Sequence, residues 1–519
     1  MEQNRINIKL CYLISGIFVL SIGTLAILSL FMHCETSLYD YDQIKSIASH
    51  TFYIYLGFAV TGILAVSALF AFLEYIFRVT GKGEIISNRI FVFCGILILF
   101  AGIGWIIFND SMPVYDQKAV YAEARRIASA LKEPFDTGYF AYFSRNRGIA
   151  LLVAVAIKIF GDQLYSFRIF NLIGALMAYY SVCKTAKLVY QNPIITVVTA
   201  VSLTLFYPLT IYTSFYYGTL LSAAFAALGL YATVALCKTE KLRYGILMIF
   251  AFPLGIFMHQ SAAIGLVASG IYLFMNVRKR TLLRTVLILG ATMIVMLFMT
   301  KAADIAYIKI TGADPNTSSV PVACTIYMGL TSNAEDAGPG SQDGSFTKIF
   351  QENGCDGKAA SRDAWNRILV VIKEYLTGER NLKFFLEKTK YQWLDPTFGA
   401  RKIIRTNDVN LGDPPNSVRF MKFYNSNVRN IIFKFSIGAM LLTYIGALFN
   451  GIRTFLNVKA DNGVILIQLY VIGGFAFQLL GESLSRYCFC YFLWLIPGMV
   501  SGIYYLYISF RAQRDKPLK

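Results

Sequence analysis

Apolar residues run along this chain in long, nearly uncharged blocks rather than in the alternating pattern of a half-buried strand. The blocks fall near residues 9–32, 51–77, 88–109, 166–190, 193–213, 215–237, 244–258, 260–276, 283–303, 431–450, 463–481 and 488–510. Many are long enough for a helix to cross a hydrocarbon layer about 30 Å thick. The pattern predicts an all-α polytopic membrane protein of about twelve transmembrane helices. The first block is too long for the apolar part of a signal peptide and lacks a small-residue cleavage pattern, so it is expected to be retained as a span.

Composition agrees: 56% of the 519 residues are hydrophobic, only 15% are charged, and the mean hydropathy is +0.54. The net charge of +18 invites a nucleic-acid reading. Lys and Arg in the cytoplasmic loops of a membrane protein explain it better, with basic groups facing an anionic lipid as a second contribution. No nucleic-acid partner is expected. Nine cysteines at irregular spacing, with no CxxC pair, give no zinc pattern. Basic residues in the short loops put both termini in the cytoplasm.

One segment decides that topology. Residues 148–161 (GIALLVAVAIKIFG) are apolar but short and contain Lys158, which suits a helix lying on the membrane better than a span. Were it a span, Arg278, Lys279, Arg280 and Arg284 would face outward, against the charge rule. Residues 110–165 are therefore read as one outer loop. Within it, Val120, Ala124, Ile127, Ala128 and Leu131 recur at helical spacing opposite Lys118, Glu123, Arg125 and Arg126, predicting a helix with its apolar face down on the membrane. The expected organisation is two N-terminal transmembrane helices (1–87), a transmembrane core (88–303) holding the first outer loop, a large extracytoplasmic loop (304–430), and C-terminal transmembrane helices (431–519). The large loop should begin irregular, in a run rich in Gly, Pro, Asp and Asn, and become helical over 361–377 and 379–394. Cys324 and Cys355 both fall on it, as a pair or as two free thiols.

Charged and aromatic residues gather at the outer ends of the spans: Asp110, Asp116, Arg145, Arg147, Tyr217, His259, Asp304, Glu482, Arg486 and Tyr487. Transporters usually carry ionisable groups along the middle of their spans; here those are scarce. A carboxylate beside several cations at a membrane surface suits a reaction that holds a lipid phosphate and deprotonates a hydroxyl. Arginine suits the first task because its planar fork matches phosphate oxygens. Plainer roles also fit some of these residues. Asp116 would cap a helix, Asp110 would sit in a turn, Glu482 and Arg486 are spaced for an i, i+4 ion pair, and the lone His259 suits a structural role.

Four stretches add a resemblance. They are Tyr115-Asp116-Gln117 with Tyr121 and Ala124; Tyr142-Phe143-Ser144-Arg145-Asn146-Arg147-Gly148, then Phe160-Gly161 and Phe167-Arg168-Ile169-Phe170-Asn171; Lys388 with Trp393-Leu394-Asp395-Pro396; and Glu482-Ser483-Leu484-Ser485-Arg486-Tyr487 with Pro497. In order and placement, from about residue 88 onward, the chain resembles the GT-C glycosyltransferases, especially the bacterial relatives of protein O-mannosyltransferases and the aminoarabinose transferase of lipid A. The stretch 212–219 (YTSFYYGT) lacks the second acid that such proteins often carry there.

The resemblance implies transfer of a sugar from a polyprenyl-phosphate donor to a hydroxyl of a cell-envelope glycan, lipid or protein, on the outer face of the cytoplasmic membrane, by inverting single displacement. Asp116 would be the base. Arg145, Arg147, Lys388, Glu482, Arg486, Tyr487 and Tyr217 would bind substrate. No metal ligand set is apparent, and nothing in the residues calls for a divalent cation. The alternative is a transporter or flippase of lipid-linked glycans, which would need a pathway across the bilayer instead of a cavity beside Asp116.

Overall fold

A computed structural model describes residues 2–36, 42–47, 49–109, 112–113, 116–129, 139–277, 281–313, 319–334, 338–400, 427–458 and 463–514. Asp110, Tyr115, Leu131 and the Pro414-Pro415 break lie outside the described residues.

Every apolar block becomes a helix, but the blocks differ in length. Among the described residues, eight helices are long and apolar enough to cross a membrane: Asn7–Phe31, Phe52–Thr80, Gly83–Phe108, Tyr165–Tyr190, Thr219–Thr239, Leu282–Thr311, Ile431–Leu456 and Phe489–Gln513. The block at 193–213 is broken into Pro193–Leu205 and Pro208–Ser214, bent by 55°. Pro208 has no amide hydrogen for the helical ladder, so the break falls just before it. Counted as one span, this pair makes nine. The remaining blocks form Leu242–Met258, Ala262–Asn276 and Val464–Leu480, of 17, 15 and 17 residues. At about 1.5 Å per residue these reach only about 23–26 Å. The expected twelve spans are thus not confirmed, because three apolar blocks are shorter than the layer.

The interior is built on close approach. Helix Thr219–Thr239 packs against Tyr165–Tyr190 and Leu242–Met258 and buries Ala223, Ala224, Ala226, Ala227, Gly229, Ala232 and Ala235. Small residues let helix axes come together where no hydrophobic force from water drives association. Helix Asn427–Leu456 packs against Phe489–Arg514 and against the first helix, Glu2–Phe31. Asn7 donates to the carbonyl of Met275 at 2.7 Å, and Ser15 to Oε1 of Gln468 at 2.8 Å. A hairpin follows, Met32–Thr36 paired antiparallel with Asp42–Ser46, with Cys34 opposite Ile44. The Cys34 amide donates to the carbonyl of Leu394 at 2.9 Å.

Both long loops contain helices. Asp116–Ala128 buries Val120, Ala124 and Ile127 as its periodicity predicts. The burying surface is helix Arg147–Phe160, so protein rather than lipid covers that stripe. The second loop starts later than expected, because Leu282–Thr311 runs past Asp304. Its Gly- and Pro-rich opening, expected to be irregular, also contains helices Val322–Thr331 and Ser345–Glu352. These form because Cys324, Met328, Phe346, Ile349 and Phe350 bury together with Ala360, Ala364, Ile368 and Val371 in a small core of their own. Helix Gly357–Thr377 starts under Asp356, whose side chain accepts from the amides of Lys358 and Ala359, and ends at Gly378 with φ 81°. The last helix of the loop is Lys383–Trp393. Cys324 is buried and Cys355 exposed, and both are free thiols. The two loops meet where Val320 N donates to Tyr142 O at 3.0 Å and the Phe143 and Phe346 rings lie 5.7 Å apart.

Candidate active site

Asp116 is the first residue of its helix. The next residue fixes it in place: Gln117 is buried, and its Oε1 accepts from the backbone amide of Tyr216 at 3.0 Å. Arg168, fully buried, donates to the carbonyl of Asn109 just upstream, and Asn171 donates to the carbonyls of Thr213 and Phe215 at 3.2 and 2.8 Å. The Arg168 and Asn171 motif thus ties the chain entering the site to the turn after the broken span. That turn presses so close to a neighbouring helix that a Cβ on Gly218 would lie 2.0 Å from the Met258 carbonyl oxygen, so only glycine fits there.

Arg486 comes from a different part of the chain, a 3₁₀ turn over Ser485–Tyr487. Asp395, buried, holds that turn: Oδ2 accepts from Ser485 Oγ at 2.9 Å and from Gly399 N at 2.7 Å, while Oδ1 accepts from the amide and hydroxyl of Thr397. Arg486 Nη2 reaches Asp116 Oδ2 at 2.9 Å, closing an ion pair between residues 370 positions apart. The same nitrogen lies 3.3 Å from Tyr487 Oη, which donates to Glu482 Oε2 at 3.1 Å. Because residues 485–487 form a 3₁₀ turn, Glu482 and Arg486 do not share an α-helical face, and their link runs through Tyr487.

These groups line a cavity of about 120 Å³ with Tyr139, Phe143, Arg145, Tyr217, Thr325, Met328, Gln342 and Phe346. Tyr217 is oriented by Asn146, whose amide nitrogen donates to the hydroxyls of Tyr217 and Tyr139 at 3.1 and 2.7 Å. The Arg486 guanidinium sits 5.4 Å from the Tyr217 ring centre. Burial lifts the Glu482 carboxyl above the usual glutamate range, while Arg486 pulls against that shift. A second cavity of about 80 Å³ adjoins the first and shares Arg145, Tyr217, Thr325, Glu482 and Tyr487 with it. It adds His259, whose ring nitrogen is within 2.9 Å of Ser261 Oγ. Burial, with Arg145 and Arg486 nearby, pushes that imidazole down to about 3, so it stays neutral.

Of the residues named from sequence, Asp116, Arg145, Tyr217, Glu482, Arg486 and Tyr487 converge on one cavity. Two stand apart. Arg147 lines a separate cavity and pairs with Asp304 at 3.3 Å. Lys388 is buried under the loop, where its ammonium donates to the carbonyls of Gly329, Leu479 and Gly481. Sequence reasoning assigned no role to Gln117, Asn146 or Asp395. Each acts through a buried hydrogen bond to a distant segment, although all three fall inside the quoted motifs. Among the described residues, no three His, Cys, Asp or Glu side chains come together.

A bundle of apolar helices thus carries a charged cavity lined by residues of both loop regions. Residues 148–303 match the family model for dolichyl-phosphate-mannose-protein mannosyltransferase. Solved structures similar to it include the Archaeoglobus fulgidus oligosaccharyltransferase tethered to an acceptor peptide, at 11% identity and a TM-score of 0.41, covering 83% of this chain. The chain spans about half, 51%, of that protein's length. ArnT from Cupriavidus metallidurans bound to undecaprenyl phosphate is another, at 14% identity and a TM-score of 0.34, covering 82% of this chain and 78% of that one. No curated protein matches the sequence.

Proposed function

We propose that this protein is a lipid-linked-sugar glycosyltransferase whose reaction takes place in the Asp116 cavity, on the extracytoplasmic side of the cytoplasmic membrane. The observation that carries the reading is the meeting of a carboxylate, Asp116, with the cation of Arg486 in a cavity that Arg145 also lines. Such a set can hold a phosphate and take a proton within one small volume.

The donor is a polyprenyl-phosphate monosaccharide. Its phosphate is gripped by Arg486 and Arg145, with the Tyr487 and Tyr217 hydroxyls at hand to orient it. As the phosphate engages Arg486, the Asp116 carboxylate loses its partner and becomes the free base. The acceptor hydroxyl oxygen then attacks the anomeric carbon while its proton passes to an Asp116 oxygen. The bond from the anomeric carbon to the phosphate oxygen breaks, and its electron pair leaves on the phosphate, an anion stable enough to need no strong general acid. Attack opposite the leaving group inverts the anomeric centre. The hydroxyl belongs to a cell-envelope glycan, a lipid or a protein.

Incubating the purified protein with a panel of polyprenyl-phosphate sugars and acceptors tests this. Acceptor-dependent release of polyprenyl phosphate is expected with one donor. No release with any sugar, together with movement of an intact lipid-linked glycan across a vesicle, would replace this reading with that of a flippase.

A further inference from the structure

A third and larger cavity, about 280 Å³, lies beside the Asp116 cavity and shares Phe143 and Arg145 with it. Its walls include Ser144, Arg147, Phe257, Thr300, Asp304 and Ser319. The side chain of Arg147 is only 6% exposed, and its Nη1 faces Asp304 at 3.3 Å. Among the described residues its Nε and Nη2 are buried with no hydrogen-bond partner. Those two nitrogens form one edge of the guanidinium, a two-pronged donor for an anion with two oxygens side by side once the side chain turns that edge into the cavity. A buried charged donor pair without an acceptor is costly, and the Tyr307 ring 5.0 Å away offers only a face. Asp304 neutralises one positive charge. Arg145, exposed two residues earlier, adds a second, so the cavity remains cationic.

The surroundings say what kind of anion fits. Thr300 and Asp304 belong to helix Leu282–Thr311, whose apolar window is only 17% buried. Leu297 and Met293, one and two turns before Thr300 on the same side of the helix, are 58% and 45% exposed, a surface for acyl or prenyl chains. A cationic fork next to a lipid-facing helix matches an anionic headgroup on a long apolar tail.

We propose that the Arg147 cavity is a second lipid-phosphate site, seating the phosphate of a membrane lipid while another occupies the Asp116 cavity. The inference goes beyond the transfer reading and is tested by binding rather than turnover, so the failure of one leaves the other standing. The full-length protein in detergent micelles is titrated with polyprenyl monophosphate and read by native mass spectrometry, with phosphatidylglycerol and inorganic phosphate as parallel arms. Two bound equivalents are expected. Arg147→Lys, which keeps the charge but not the fork, should weaken the second by about tenfold and spare the first. Should Arg147→Lys fail to fold, Ser319→Trp adds bulk to the wall of the same cavity, and should do the same. Arg486→Lys should weaken the other equivalent. Displacement of the second equivalent by phosphatidylglycerol would identify it as a bulk-phospholipid seat, and resistance to it as a carrier seat. A single equivalent that Arg486→Lys weakens and Arg147→Lys spares, a second one indifferent to Arg147→Lys and Ser319→Trp, or equal competition by inorganic phosphate would overturn the proposal.

Discussion

Arg486 Nη2 holds Asp116 Oδ2 at 2.9 Å across 370 residues of chain. A carboxylate locked to a cation is a weaker base, so under the proposed reaction the pair implies an order of events: phosphate first, proton transfer second. Asp116→Asn keeps the size and loses the basicity. It should slow transfer by ~10²- to 10⁴-fold, the usual contribution of a positioned base. Donor affinity should hold or rise, because Arg486 is no longer engaged by a carboxylate. Polyprenyl-phosphate release under single-turnover conditions and equilibrium donor binding check the two halves; near-normal turnover would leave Asp116 as a structural partner of Arg486.

Arg486→Lys should act on the donor term. A lysine brings a point charge where a planar fork is required, and an expected loss of about tenfold in donor affinity corresponds to about 1.4 kcal/mol. Donor titration at fixed acceptor measures it. An unchanged donor KM would remove Arg486 from phosphate binding.

Glu482 gives a pH signature. Its carboxyl is raised by burial, so between the ordinary glutamate value and the raised one the folded protein holds a proton that the unfolded chain has released. Stability then falls as pH rises through that window. Glu482→Gln should flatten this part of the curve and raise the unfolding temperature on its alkaline side, followed by thermal melts across a pH series. A curve with the same slope as the unmutated protein would contradict it.

Lys388→Met separates two roles for that lysine. Its three N–H groups meet three carbonyls, two of them at the end of helix Val464–Leu480. Removing them strands acceptors that each cost roughly 1–3 kcal/mol when buried and unpaired. The variant should melt well below the parent yet bind donor normally while folded. A selective loss of donor affinity without loss of stability would instead return Lys388 to the phosphate. Burial also pushes its ammonium down to about 7. Between there and the ordinary lysine value the unfolded chain binds more protons, so this group's contribution makes stability rise with pH over that range, a slope the Met variant should lack.

Hydropathy and short motifs made much of this legible. Every apolar block is a helix, the Val120, Ala124 and Ile127 stripe is buried, and six of the eight expected site residues share one cavity. What failed did so for physical reasons. Block length marks apolarity but not the turn at which a helix stops, so the helix Ala262–Asn276 is shorter than its block and its place as a span is not confirmed. A stripe of apolar residues does not say whether lipid or protein covers it, and Arg147–Phe160 covers this one. Cations look alike in sequence, so the placement of Lys388 and Arg147 outside the Asp116 cavity shows only in the partners of each.

The hydrogen bond from Cys34 N to Leu394 O bears on how the first 87 residues relate to the rest. In sequence they read as an appendage. In space the hairpin they carry is bonded to the segment just before Asp395, the residue that holds the turn of Arg486. A gene shortened to start at residue 88 would therefore lose more than two membrane helices: it would loosen the anchor of a cation 452 positions downstream of Cys34, at Arg486. The N-terminal helices are part of the working unit, and a natural relative lacking them would need another brace at the same place.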